Sequence, residues 1–278
     1  MRLLFVNAHA DDTEFCAAAT CQKAVDLGWD VHQILMTSDE YSVSDENFKG
    51  ERIKRIRMNE MEHAAKEYGM DENGNSKITL HWFGEIDVYL PFIRETFLTL
   101  KKLIEKIDPD IIIGPDSFFS MDYHPDHMNT GYLIYYITRE LHREATKRNG
   151  KKRPLLLLYH SFNPNYFIKI EDMDIQVRAW ANHRSQTSPF KNKILYPLRK
   201  IFYFFRRVKS GPGIGEGFRK VNFDGGENKH TSWKHKLFHY FFAYGIYPPI
   251  KFRRSWGIPT PDKLGLTALF YDPKMNPI

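Results

Sequence analysis

Two short stretches of this chain hold side chains whose types and spacing suit hydrolytic chemistry. Residues 2–12 read RLLFVNAHADD, so an apolar run ends in His9, Asp11 and Asp12. Residues 115–127 read PDSFFSMDYHPDH, in which His124 and His127 flank Pro125 and Asp126. His9, Asp12 and His127 together offer two imidazoles and one carboxylate. Such a set, with a coordination position left over, suits a catalytic divalent cation better than a closed structural one. Zinc, the first choice, lowers the pKa of a bound water to about 7. Fe2+, Mn2+ or Co2+ would be accepted by the same ligands. Either stretch taken alone is a weak signal, and for the first the competing reading is a surface turn capped by an aspartate.

Distant stretches share a site only if the elements that carry them bring them together. The run Leu3 to Val6 suits a buried strand of a parallel sheet. Further strands are expected at Val31–Met36, Ile78–Phe83, Asp110–Gly114 and Leu155–His160. Helices are expected at Phe15–Leu27 with Gly28 as C-cap, at Glu51–Tyr68, at Pro91–Lys106 with the proline near its start, and at His124–Lys147. In the last of these Pro125 suits the first helical position, which makes His124 the N-cap and puts His127 in the first turn. The polar stretch Thr37–Gly50 reads as a loop able to cover a site. Strands alternating with helices predict an α/β fold, a Rossmann-like, mostly parallel sheet with helices on both faces. In such sheets the loops leaving the carboxyl ends of the strands hold the ligand. Residues 1–190 are expected to form the core, with 191–278 as a basic, aromatic-rich region that completes or flanks it.

These motifs make the chain resemble the PIG-L/LmbE-like zinc-dependent N-deacetylases, whose pattern is a strand ending in AHPDD with HPDH later. AHADDTEFCAAAT (residues 8–20) aligns with the first motif without a gap. Arg57-x-x-Glu60-Met61 is similar to the family's R-x-x-E helix, His183-Arg184-Ser185-Gln186 to its H-x-S-Q, and Glu216-Gly217-Phe218 to its E-x-F. The matches run in order over residues 1–219. Ala10 replaces the family's proline, which is expected to loosen the turn, and Cys16 with Ala17–Ala19 replaces a glycine-rich stretch.

The resemblance implies that His9, Asp12 and His127 hold the metal and that Asp11 is the general base. It implies that His124, oriented by Asp126, stabilises the oxyanion and then protonates the leaving amine. Arg57 is expected to touch a substrate hydroxyl or carboxylate; the competing reading is an exposed helical arginine paired with Glu60 or Glu62. Asp122 reads as a turn residue, His183 as a polar residue at a helix end, and His63, His142 and His160 as satisfied or solvated histidines. The implied substrate is an N-acetylglucosamine conjugate, either a small molecule or linked to a lipid.

The composition is that of a globular protein: 278 residues, 42% hydrophobic and 27% charged. Two cysteines, Cys16 and Cys21, cannot build a disulfide framework, and no window reaches the ~18 apolar residues of a spanning helix. A cytoplasmic location is expected. The net charge of +6 is unevenly spread, with 23 basic against 29 acidic residues over 1–190 and 15 against 3 over 191–256. The latter segment also holds sixteen aromatics, a composition that meets anionic membrane surfaces or packs on the core or on a second copy of the chain. Two other classes compete. A non-hydrolytic metal- or nucleotide-binding module lacks any G-x-G-x-x-G or Walker loop. A nucleic-acid binder leaves both His/Asp stretches unexplained, so no nucleic acid is expected.

Overall fold

The computed structural model describes residues 1–43, 45–147, 153–170, 173–187, 214–224 and 259–267. The first strand, β1 (Arg2–Asn7), is buried on both faces, as its unbroken apolar run requires. It leads into two short helices, α1 (Asp12–Cys16) and α2 (Ala18–Asp26). Then follow β2 (Asp30–Thr37), α3 (Glu51–Glu67), β3 (Ile78–Glu85), α4 (Arg94–Ile107), β4 (Ile111–Pro115), α5 (Pro125–Lys147) and β5 (Leu155–Tyr159). The described elements end with β6 (Tyr166–Ile170), α6 (Asp174–Trp180) and β7 (Ile214–Lys220).

The seven strands are ordered β3-β2-β1-β4-β5-β7-β6. The first five run parallel, and β7 is antiparallel to both β5 and β6. Leu3 and Phe5 of β1 pack on one face with Met61, Ala65 and Ala179 of α3 and α6. Leu4 and Val6 pack on the other with Leu100, Ile104, Leu133 and Ile137 of α4 and α5. The sheet is thus covered on both sides, with two cores that alternate residues of the same strand.

From β1 the chain moves outward to β2 and β3, then returns to the other side of β1 as β4. The strand order reverses at this point, and the crevice there, at the carboxyl ends of β1 and β4, is where open α/β sheets bind ligands. The two motif loops leave from those two strands. Gly131 lets α5 approach: a Cβ there would lie 2.5 Å from the carbonyl oxygen of Pro115 and would also meet Ser117 Oγ. Close seating of α5 on the end of β4 holds His127, one turn earlier, over the crevice.

Two expected helices begin elsewhere. The segment expected as one helix from Phe15 breaks at Ala17 (φ −151°). The break frees the amides of Ala19 and Thr20, and Glu216 of β7 accepts both, at 3.0 and 2.8 Å. The helix expected from Pro91 starts at Arg94, because Asp126 accepts the amides of Val88 (2.6 Å) and Leu90 (3.3 Å) and ties that stretch to the second loop. β6, α6 and β7 were not anticipated. β7 comes from the C-terminal region and fills the sheet between β5 and β6. Most of the basic, aromatic segment 191–256 lies outside the described residues. Among the described residues no helix is long and apolar enough to cross a membrane.

Candidate active site

Asp12 is buried, and its Oδ2 accepts the amides of Ala8 (2.9 Å) and His9 (3.1 Å) and the hydroxyl of Tyr159 (3.3 Å). Its Oδ1 lies 3.0 Å from His127 Nε2. That same Nε2 lies 3.0 Å from His9 Nδ1. The far nitrogens face carboxylates: His127 Nδ1 meets Asp122 Oδ2 at 2.8 Å, and His9 Nε2 meets Asp87 Oδ1 at 3.2 Å and Asp126 Oδ2 at 3.4 Å. A carboxylate only accepts, so each imidazole keeps a proton on its far nitrogen. In the neutral rings the near nitrogens then present lone pairs to each other and to Asp12 Oδ1. Three donor atoms converging without a proton between them fit a shared cation.

Electrostatics point the same way. Burial opposes a charged His127, yet Asp12 and Asp122 outweigh it and raise its pKa to about 10. Burial likewise opposes charge on His9, but Asp126 and Asp87 raise it well above the usual histidine range. Asp12 and Asp122 are held far below the ordinary carboxylate range against the pull of burial, chiefly by His127. The spot attracts positive charge. Two other groupings share these residues, His9–Asp87–His124–Asp126 and Asp122–His127–His160. They are less suited to a cation, because Asp126 is committed to two backbone amides and Asp122 to His127.

The structure corrects one expected partnership. Asp126 does not orient His124 through its carboxylate, which stands 3.9 Å from His124 Nδ1. The backbone N–H of Asp126 donates to that nitrogen instead, at 3.3 Å. Desolvation, reinforced by His9, pushes His124 down to about 3, so the ring is neutral.

Asp11 is the N-cap of α1 (φ −113°, ψ 2°), and its side chain turns away from that of Asp12. Its Oδ2 lies 3.1 Å from Arg57 Nη2. Arg57 is 1% exposed, which removes the reading of an exposed helical arginine. Its Nε donates to Asp39 Oδ2 at 3.1 Å, and that oxygen also accepts the amide of Ala10 at 3.2 Å. A proline at position 10 could not donate that bond. Ala10 therefore pins the turn it was expected to loosen. His9, Asp11, Arg57, His124, Asp39 and Asp87 line one cavity of about 380 Å³, joined by Tyr41, Ser42 and Lys49 of the 37–50 loop and by Gln186. Asp39, Val88 and His160 have φ of 60°, 72° and 53°. Left-handed backbone is costly for such residues and collects at functional sites.

Against this geometry, residues 4–138 match the family model described as PIG-L, GlcNAc-PI de-N-acetylase. Residues 4–138 are a PIG-L domain. It carries every residue of the two motif loops, together with Arg57. Diacetylchitobiose deacetylase of Thermococcus kodakarensis is 28% identical over 233 residues, covering 79% of this chain and 83% of the relative. The structure of N,N'-diacetylchitobiose deacetylase from Pyrococcus horikoshii, complexed with its inhibitor MPG, superposes with a TM-score of 0.68 at 27% identity, covering 80% of this chain and 84% of that one. GalB, a 4-carboxy-2-hydroxymuconate hydratase from Pseudomonas putida, shares the fold alone, with a TM-score of 0.60 at 18% identity over 82% of this chain and 98% of its own.

Around its motif residues the PIG-L domain has carboxylates that sequence reasoning missed or undervalued. Asp87 sits just beyond β3, in a stretch to which the sequence reading gave no role. Asp39 lies in the covering loop, and Asp122 read as a turn residue. His183, from beyond the domain, is fully buried with Nδ1 3.2 Å from Arg57 Nη1. His160 is drawn in as well, with Nε2 3.1 Å from Cys16 Sγ and its ring centroid 6.1 Å from that of His127. One pattern could have exposed Arg57. On α3 it falls on the stripe of Ile53, Glu60, Met61 and Ala64, all buried at helical spacing.

Proposed function

We propose that the chain is a metal-dependent hydrolase that removes the acetyl group from an N-acetylglucosamine-type sugar conjugate. The observation that carries this reading is the convergence of His9 Nδ1, Asp12 Oδ1 and His127 Nε2, with Asp11 beside them on the wall of the cavity. Two deacetylases of diacetylchitobiose among its relatives support an N-acetylated amino sugar as substrate. The hydratase with the same fold is a reminder that architecture alone does not select the reaction.

A divalent cation held by His9, Asp12 and His127 supplies Lewis acidity and a water with a pKa near 7. Zinc is the first choice, and Fe2+, Mn2+ and Co2+ suit the same donors. Asp11 takes the proton of the attacking water, its carboxylate held by Arg57. His124 is neutral, its Nδ1 accepting the Asp126 amide, so its Nε2–H is the donor offered to the developing oxyanion. A ring pushed down to about 3 is a poor source of protons for the leaving amine. That proton is assigned to Asp11, which has just accepted one. Arg57 lines the same cavity and remains the side chain assigned to a substrate hydroxyl or carboxylate.

The test is metal analysis of the purified chain together with a panel of N-acetylglucosamine conjugates, reading released acetate. Acetate release that needs one bound metal per chain is expected; metal-loaded protein that releases none from any conjugate overturns the reading. The finer reading names a lipid as the attached group, met at an anionic bilayer by residues 191–256, the first part of the basic, aromatic-rich region 191–278. The basic and aromatic residues of that segment outside β7 support it. Co-sedimentation with anionic but not neutral liposomes at low salt is expected; no preference overturns the membrane contact and leaves the deacetylase reading intact.

A further inference from the structure

The R-x-x-E and H-x-S-Q motifs, 126 residues apart, meet as one clamp behind Asp11. Glu60 of α3 accepts both the amide and the hydroxyl of Ser185 at 2.7 Å. This docks the turn after α6 against α3, and it brings His183 Nδ1 to 3.2 Å from Arg57 Nη1. Gln186 on the same turn donates to the carbonyl of Ser42 at 3.1 Å, tying it to the loop that lines the cavity. On its other side the His183 ring faces Glu14, with Nε2 and Oε2 3.6 Å apart and both residues 0% exposed.

We infer that His183 is a positioning residue for hydrolysis, holding Arg57 in the orientation that presents Asp11; this rests on the reading of Asp11 as proton acceptor. A guanidinium has only donors, so His183 Nδ1 must accept, which puts the imidazole proton on Nε2, towards Glu14. A doubly protonated ring would set two cations and two N–H groups against each other in a site closed to water. His183 is therefore a neutral acceptor whose tautomer is set by the donors of Arg57, its Nε2 standing 3.6 Å from Glu14 Oε2. The consequence for Arg57 is directional. Its Nε is committed to Asp39, Nη1 to His183 with Glu60 at 3.5 Å, and Nη2 to Asp11. Three fixed directions in one plane leave the guanidinium a single orientation, and Asp11 inherits it. Without the acceptor at Nη1, Arg57 is free to turn towards Glu60 and carry Asp11 out of register. His183 adds no charge to the cluster. Its loss therefore acts on turnover and leaves cation binding, made by other residues, in place.

The experiment compares metal-loaded His183→Asn, which keeps an acceptor close to the Nδ1 position, with His183→Leu, which removes it. The expected result is full metal occupancy in both, a kcat about 10²-fold lower for His183→Leu, the scale of a small misplacement of a reacting group, and substantial recovery in His183→Asn. A His183→Leu enzyme with normal kcat, or two variants that lose kcat equally, overturns the inference. Nitrogen-15 spectroscopy of the unaltered protein gives a second reading that does not depend on either variant folding. Unprotonated Nδ1 with protonated Nε2 is expected; the opposite tautomer or a cationic ring overturns it. Asp11→Asn separates the two readings. If that metal-loaded variant keeps normal turnover, the base assignment fails; if it is inactive while His183→Leu is not, only the positioning role fails.

Discussion

Asp122 Oδ2 lies 2.8 Å from Nδ1 of His127, and this one contact decides which nitrogen of the ring faces the crevice as a lone pair. A carboxylate that accepts the far N–H of an imidazole fixes its tautomer and raises its basicity. The near nitrogen, 3.0 Å from both Asp12 Oδ1 and His9 Nδ1, is thereby prepared for a cation.

Metal analysis should therefore find about one divalent ion per chain, lost in His9→Ala, Asp12→Ala and His127→Ala. Asp122→Asn should keep the ion but hold it roughly 10–100-fold more weakly, as measured by chelator competition. Full occupancy in His127→Ala would exclude this ligand set.

Asp11 touches Arg57 and the cavity, not the converging donor atoms. Asp11→Asn should fold and bind metal normally while kcat falls roughly 10²–10⁴-fold, the contribution of a positioned proton acceptor. Turnover within a few-fold of the parent would remove Asp11 from the mechanism.

Gly131→Ala should act at a distance. The added methyl meets the Pro115 carbonyl, which is backbone and cannot swing aside, so α5 must move off β4. A stability loss of about 1–3 kcal/mol is expected, as for other overpacked sites, together with weaker metal binding because His127 moves with the helix. Calorimetry and chelator competition on the same sample check both.

Glu216 caps the break at Ala17, and burial, outweighing the two amide bonds, raises its pKa from 4.5 to about 7. For an acid raised in the folded state the sign is fixed. Below about 4.5 both states are protonated, and between 4.5 and 7 only the unfolded state ionises. Stability therefore falls across that window and flattens above 7. At about 1.4 kcal/mol per pKa unit the contribution is on the order of 3 kcal/mol. Denaturant midpoints from pH 4.5 to 8 should show this decline, and Glu216→Gln should flatten part of it. Glu40 and Glu85, also raised to about 7 by burial, add slope in the same direction. An unchanged slope in Glu216→Gln would show that this carboxyl is ionised in the folded protein.

Sequence by itself determined the five parallel strands, most of the helices between them and the two motif loops. The apolar run of β1 suited a buried parallel strand, and it forms one. The helix expected over Pro91–Lys106 forms as α4, Arg94–Ile107. His9, Asp12 and His127 stood out because imidazoles and carboxylates at strand ends are chemically conspicuous. These are local patterns, set by backbone period and side-chain type within a few residues of each other. Tertiary structure alone decided the partners. Asp87 reaches His9 across 78 residues, Glu216 reaches Ala19 and Thr20 across nearly 200, and His183 reaches Arg57 across 126. Such pairings follow from strand order and register, and no local preference encodes them. Their energetic reason is burial: a charge or polar group taken out of water must find its partner inside. The partner is therefore whichever group the folded chain brings within reach, which is why an arginine expected to touch substrate, with a surface reading beside it, lies buried against Asp11.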